Sequence, residues 1–186
     1  MAGVQMLNQT EFDTMFSSLD LSQDPYELYE LYKKVVALNP KNILEIGVGN
    51  GGATMFWMDA IADGGLVVGI NQPGLVPKHL DQLINRSNKT FKFIYEKSQD
   101  LKTVDMVNSY MLRGTVDFLF IDGDHDYAVV KADYENYSPF VRPGGIIGFH
   151  DVASGDPQKV YLEIKGQLEN TQEWQKTIGT GMGYKK

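Results

Sequence analysis

From residue 42 onward, short apolar runs alternate with segments whose apolar residues recur every three or four positions. The runs at 43–46, 66–70, 91–95, 116–121 and 146–149 read as strands, rich in β-branched and aromatic residues. Segments 53–62, 77–86, 100–111 and 127–137 read as the helices between them. The 116–121 run is apolar almost throughout, as expected for the buried middle of a parallel sheet. Strands separated by helical patterns predict βαβ units with right-handed crossovers, and so an α/β fold with a doubly wound, mostly parallel sheet and helices on both faces. Further on, Asp156-Pro157 opens a helix to about residue 168, and 174–178 looks like a sixth strand. Only GTGMGYKK then remains, which predicts an abbreviated C-terminal edge that either weakens the sheet there or is covered in a homo-oligomer.

Two helices precede this alternation. Asp24-Pro25-Tyr26-Glu27 supplies an N-cap, a proline at the first helical position and a carboxylate at the third. Leu28, Leu31, Val35 and Leu38 follow at helical spacing, and Asn39-Pro40 stops the run. A weaker helix at 11–19 places Phe12, Met15, Phe16 and Leu19 on one side. With no linker or internal repeat, residues 1–186 read as one domain: a helical layer at 1–40 and a Rossmann-like core at 41–186.

Composition narrows the function classes. At 186 residues and 42% hydrophobic content the chain can bury a core without staples, and the absence of cysteine rules out disulfides and thiolate metal sites. A net charge of −7 and the lack of a basic cluster disfavour nucleic acid as partner. No apolar run approaches the ~20 residues needed to span a bilayer, and no secretory leader opens the chain. The expectation is a cytoplasmic protein that handles a small molecule.

The chemistry gathers at strand ends. The first strand runs into NILEIGVGNGG, a strand, a tight glycine turn and a helix N-terminus, where a ligand meets bare peptide N–H groups. Gly47, Gly49 and Gly52 fit G-x-G-x-x-G, so a dinucleotide site stays open on pattern alone. Asn71 follows the second strand, and Glu96-Lys97-Ser98-Gln99-Asp100 the third. Asp122-Gly123-Asp124-His125-Asp126 follows the fourth and His150-Asp151 the fifth. Two adjacent strand ends carrying Asp and His suggest a cation site made of Asp122, His150 and Asp151. Hard carboxylate oxygens with one imidazole suit Mg²⁺, Mn²⁺ or Fe²⁺ better than structural zinc. The plainer reading has His150 capping a carbonyl and Asp151 pairing with Lys or Arg.

Together, NILEIGVGNGG, Ser98-Gln99-Asp100, FLFIDGDHDY and VRPGGIIGFHDV resemble the class I S-adenosylmethionine-dependent methyltransferases. Within them the likeness is to the small O-methyltransferase-like group of cephalosporin hydroxylase-type and catechol O-methyltransferase-type proteins, over roughly residues 42–152. The resemblance implies that Glu45 and the Gly47, Gly49 and Gly52 turn hold the methionine part of the cofactor. It also implies that Asn71 meets the ribose, where the family normally has an acid, and that Ser98 and Gln99 contact adenine. Asp122, His150 and Asp151 match the metal positions, with magnesium the expected ion. His125 falls where catechol-type enzymes carry a lysine near the acceptor hydroxyl.

The activity so implied is O-methylation of a small hydroxylated substrate by in-line displacement, with Asp122 and His125 as catalytic residues and His125 as proton acceptor. His125 fits equally a turn residue donating to Asp122 or Asp124. Three rivals remain at this level, one of them oxygen chemistry on a non-haem iron at the Asp/His cluster, against which stands the single histidine there. A degenerate S-adenosylmethionine-binding module would account for Asn71, and an NAD-dependent oxidoreductase for the glycine pattern. Against the latter, Glu45 stands where a dinucleotide site usually has a small or apolar residue, and the Asp/His cluster has no role in hydride transfer.

Overall fold

The computed structural model describes residues 4–85 and 88–186. Strands β1 (Asn42–Ile46), β2 (Leu66–Asn71), β3 (Thr90–Tyr95), β4 (Val116–Ile121), β5 (Val141–His150), β6 (Leu168–Trp174) and β7 (Thr180–Lys185) form one sheet. Their order is β3-β2-β1-β4-β5-β7-β6; the first five are parallel, and β7 runs antiparallel to both β5 and β6. Helices α1 (Gln9–Ser17), α2 (Pro25–Ala37), α3 (Gly52–Ala60), α4 (Leu80–Ile84), α5 (Leu101–Tyr110), α6 (Tyr127–Tyr137) and α7 (Gly155–Ile164) cover its two faces.

Strand alternation assigns each side chain to a face. Leu44, Ile46, Leu119 and Ile121 point to a core shared with α5, α6 and α7. Ile43, Phe118 and Phe120 point the other way, against α1, α2 and α3. There Trp57 meets Phe118 and Phe120 edge-on, with ring centres 4.9 and 5.2 Å apart, the favoured geometry for aromatic quadrupoles. Phe12 of α1 packs 4.4 Å from Phe56, which seats the N-terminal layer on α3.

The C-terminal edge departs from expectation. The sixth strand lies at Leu168–Trp174 rather than 174–178, and the short tail forms a full β7 paired on both sides, so the edge is not abbreviated. Its glycines explain why the pattern concealed it. A Cβ at Gly181 would stand 2.8 Å from the Tyr161 ring and one at Gly183 2.6 Å from Leu168, so only glycine lets this strand lie so close to its neighbours. The expected helix 77–86 shrinks to Leu80–Ile84, and residue 86 lies outside the described residues. The strand expected at 146–149 starts earlier, at Val141, and Pro143-Gly144-Gly145 is a bulge inside it, where pairing jumps from Val116–Val141 to Phe118–Ile146.

Glu27 joins the two ends of the chain. The Asp24 carboxylate caps α2 as expected, accepting from the N–H groups of Tyr26 and Glu27. The Glu27 side chain does not turn back to complete a capping box. It is fully buried, and it accepts from Lys176 N–H, Thr177 N–H, Gly179 N–H and Thr180 Oγ1 at 2.6–3.2 Å. The β6–β7 connection is thereby pinned beside the strand ends.

Candidate active site

The strand order reverses between β1 and β4, and a cleft opens at their carboxyl ends, the place where open α/β sheets bind ligands. It has two lobes of about 450 and 390 Å³ that share Gly47, Gly49, Asp122, Gly123 and His125. Such volumes suit small molecules.

Asn71, Ser98 and Gln99 line the larger lobe together with Gly47 and Gly49. The β1 turn reaches it because Gly47 crosses directly over the end of β4. A Cβ at Gly47 would lie 1.9 Å from the Asp122 carbonyl oxygen, and its φ of +90° is glycine territory. Gly47 N–H and Val48 N–H both donate to the Ile70 carbonyl, so the donors left for a ligand lie further round, toward the α3 N-terminus. Asn71 is buried, and its amide Nδ2 donates to the carbonyls of Leu75, at 2.9 Å, and Gly49, at 3.4 Å. Neither bond uses the amide oxygen, the acceptor of that group. Tyr137 OH, from α6, donates to the Ser98 carbonyl at 2.6 Å and fixes the loop that carries Ser98 and Gln99.

Glu45 is placed elsewhere. Strand alternation turns it under α3, where its fully buried carboxylate accepts from Thr54 Oγ1 at 2.5 Å and Trp57 Nε1 at 3.1 Å. Burial pushes its pKa up to about 8 despite these two bonds. It lines neither lobe, so the structure does not bring it to a ligand with the glycines. Asp133 of α6 is also buried, near Gly123, and burial pushes it up to about 7.

The smaller lobe holds the Asp/His cluster. Asp122, His150 and Asp151 each offer a ligand atom, all within 4.8 Å of one another. His150 Nδ1 stands 3.1 Å from Asp122 Oδ1 and 2.9 Å from Asp151 Oδ2. Asp151 adopts a left-handed backbone, φ +59°, and its Oδ2 also meets His125 Nε2 at 2.9 Å. Burial works to lower the His150 pKa, but hydrogen bonds to Asp122 and Asp151 override it and hold it up to about 10. Burial likewise works to raise Asp151, and His150 and His125 overcome it and hold that carboxylate below its usual range. The donor set fits a hard divalent cation. Two carboxylates and an imidazole converge, and cis ligands on an octahedral ion with bonds of 2.0–2.1 Å stand roughly 3 Å apart, close to the spacings here.

One contact was missed by sequence reasoning. Gln23 Nε2 donates to Asp122 Oδ2 at 2.6 Å, across 99 residues of chain, and turns the opposite oxygen toward His150. No motif marks Gln23; its only signal is its place just before the Asp24-Pro25 helix start. Asp20, Ser22 and Asn50 join it in lining the smaller lobe. Gly52 also lies on this side, at the start of α3.

A doubly wound sheet closed by an antiparallel β7, with a glycine turn and an Asp/His cluster at its switch point, is the methyltransferase architecture. A family model described as a methyltransferase domain matches residues 44–152, and the chain belongs to that family. An uncharacterized protein of Sinorhizobium fredii is 29% identical over 134 residues, which is 63% of this chain and 14% of that protein, so the chain spans only a small part of this relative's length. Among solved structures, an O-methyltransferase from Bacillus cereus in complex with SAH superposes with a TM-score of 0.66 at 22% identity, covering 96% of this chain and 90% of that one. The O-methyltransferase TomG from Streptomyces achromogenes, in complex with SAM, gives 0.66 at 15% identity, covering 97% of this chain and all of that one. MycE of the mycinamycin biosynthetic pathway, in complex with Mg and SAH, gives 0.65 at 17% identity, covering 99% of this chain and 56% of that one. At these identities the three structures establish the shared fold. Among the described residues, no helix is long and apolar enough to cross a membrane.

Proposed function

We propose that this chain catalyses S-adenosylmethionine-dependent O-methylation of a small hydroxylated molecule, with a divalent cation, Mg²⁺ by preference, at Asp122, His150 and Asp151. One observation carries the reading: the lobe lined by Asn71, Ser98 and Gln99 meets the lobe holding the Asp/His cluster at Asp122 and the Gly47 turn. Methyl donor and acceptor would thus share one wall. Family membership favours this reading over the nicotinamide one.

In the larger lobe, Gly47 and Gly49 keep the turn bare of side chains, the Asn71 amide oxygen would accept from ribose, and Ser98 and Gln99 would border adenine. Bound there, S-adenosylmethionine supplies an electrophilic methyl group. Asp122, His150 and Asp151 would hold a divalent cation, which would supply the Lewis acidity that lowers the pKa of an acceptor hydroxyl. His125, which lines both lobes and meets Asp151 through Nε2, would take the acceptor proton on its other ring nitrogen, with the Asp151 carboxylate orienting the ring and stabilising the imidazolium so formed. Alignment and exclusion of water do the rest.

Calorimetric titration with S-adenosylmethionine, with and without Mg²⁺, followed by mass spectrometry of acceptor mixtures, tests the proposal. Absence of cofactor binding rejects it. Tight binding without methyl transfer would favour a binding module, a reading supported by Asn71, whose amide lacks the charge-assisted acceptor an acid would provide.

A further inference from the structure

The smaller lobe also indicates what kind of acceptor it takes. We infer that the acceptor is a polyhydroxylated, sugar-like molecule rather than a phenol or catechol; this rests on the methyltransferase reading and specifies its substrate class. Beyond the Asp/His cluster, the wall is built from hydrogen-bonding side chains: Asp20, Ser22, Gln23, Asn50 and His125. Apolar contacts come from small or aliphatic residues such as Leu21, Val48 and Ile178. The chain has two Trp, ten Tyr and nine Phe, yet among the described residues none of these rings lines either lobe. They are used elsewhere, as in the Phe12–Phe56 and Trp57–Phe118 contacts.

The chemistry follows from that distribution. A flat aromatic acceptor gains most from ring faces and apolar walls, which supply stacking. Here its ring would strip water from carboxylate and amide groups, and its one or two hydroxyls would return few of the lost hydrogen bonds. A polyol returns them, with hydroxyls that donate to carboxylates and accept from amides. Part of this wall is already organised. Asn50 Nδ2 donates to Asp20 Oδ2 at 3.1 Å, Lys78 holds the same carboxylate, and Gln23 is braced on Asp122. The segment 20–23 lies outside the residues matched by the family model, so this selectivity belongs to the chain's own N-terminal region.

A site built to hydrogen-bond hydroxyls discriminates strongly against analogues lacking them. The test loads the full chain with S-adenosylhomocysteine and Mg²⁺ and compares methyl hexopyranosides with phenol and catechol by saturation-transfer NMR at millimolar concentration. Transfer from S-adenosylmethionine is then assayed on the same panel. The expected result is saturation transfer to the pyranosides, and a kcat/KM at least roughly tenfold higher for them than for the aromatics. A Ser22→Val variant should raise the pyranoside KM and leave S-adenosylhomocysteine affinity as it was. Aromatics that bind or react as well as pyranosides overturn the inference, as does the absence of any pyranoside signal. Failure to bind S-adenosylhomocysteine instead rejects the methyltransferase reading beneath it, which separates the two failures.

Discussion

His150 Nδ1 lies 3.1 Å from Asp122 Oδ1, although the two residues close different strands, β5 and β4, which pair in parallel. The strand register brings their backbones together, since Phe149 pairs with Ile121 and the residue after each of these carries the ligand atom, and Gln23 turns the Asp122 carboxylate. If the pair serves a cation, Asp122→Ala should abolish Mn²⁺ binding measured by calorimetry or by electron paramagnetic resonance. Gln23→Leu should weaken binding by about tenfold, because it releases the other oxygen of the same carboxylate. Unchanged Mn²⁺ affinity in Asp122→Ala would refute the site.

Gly47 and Gly49 both have positive φ, but only one of them is crowded. Gly47→Ala would drive a methyl group into the Asp122 carbonyl and should prevent folding or cost several kcal/mol. At Gly49 nothing lies within 4 Å of the added Cβ, so Gly49→Ala should cost only about 1 kcal/mol while lowering S-adenosylhomocysteine affinity. Thermal melts and calorimetry on the pair separate the two roles. Equal destabilisation would show that the turn is not built as described.

Asn71→Asp offers a way to examine the departure from the family pattern at the end of β2. An acid would add a charge-assisted acceptor, but it would also set a carboxylate against the carbonyls of Leu75 and Gly49 that now take the amide hydrogens. The expected outcome is a lower melting temperature with no gain in S-adenosylhomocysteine affinity. A tenfold gain would mean that the β2–α4 loop does not depend on those bonds.

Glu45 and Asp133 make stability fall with rising pH. Both carboxyls have folded-state pKa values raised by burial, from 4.5 to about 8 and from 3.8 to about 7. Between the unfolded and folded values the native state holds a proton that the unfolded state has lost. Stability from each group is therefore complete below the unfolded pKa and is lost as pH rises to the folded one. The melting temperature should drop between about pH 5 and pH 8. Glu45→Gln, whose amide oxygen can still accept from Trp57 Nε1 while its Nε2 donates to Thr54 Oγ1, should flatten the upper part of that slope. A slope identical to that of the unaltered chain would contradict the burial of Glu45.

Glu27→Ala removes an acceptor shared by four donors on the β6–β7 connection. The loss should be about 3 kcal/mol or more, read from urea denaturation, because three backbone N–H groups lose their partner together. Amide exchange at Lys176, Thr177 and Gly179 should speed up in step. Protection that persists there would show that the connection is held by something else.

Much of this molecule is local information. The positions of β1, β2 and β4, the Asp24 cap, the glycine turn and the acidic strand ends were legible because each depends on residues within one or two turns of chain. Apolar periodicity reports which face is buried, and strand ends follow from where it stops. The chain beyond residue 168 was not legible. Residues 168–174 are mostly polar, and β7 owes its place to close approach of Gly181 and Gly183 to Tyr161 and Leu168, a long-range steric fact. Glu45 was legible as a strand-end acid, but its burial under Thr54 and Trp57 depends on how α3 returns over the sheet. Sequence by itself therefore determined the alternating sheet and the chemical content of its strand ends. Only the tertiary structure decided that Gln23 would brace Asp122 and that residues 20–23 would wall the smaller lobe, because those contacts join segments about a hundred residues apart, for which sequence carries no local signal.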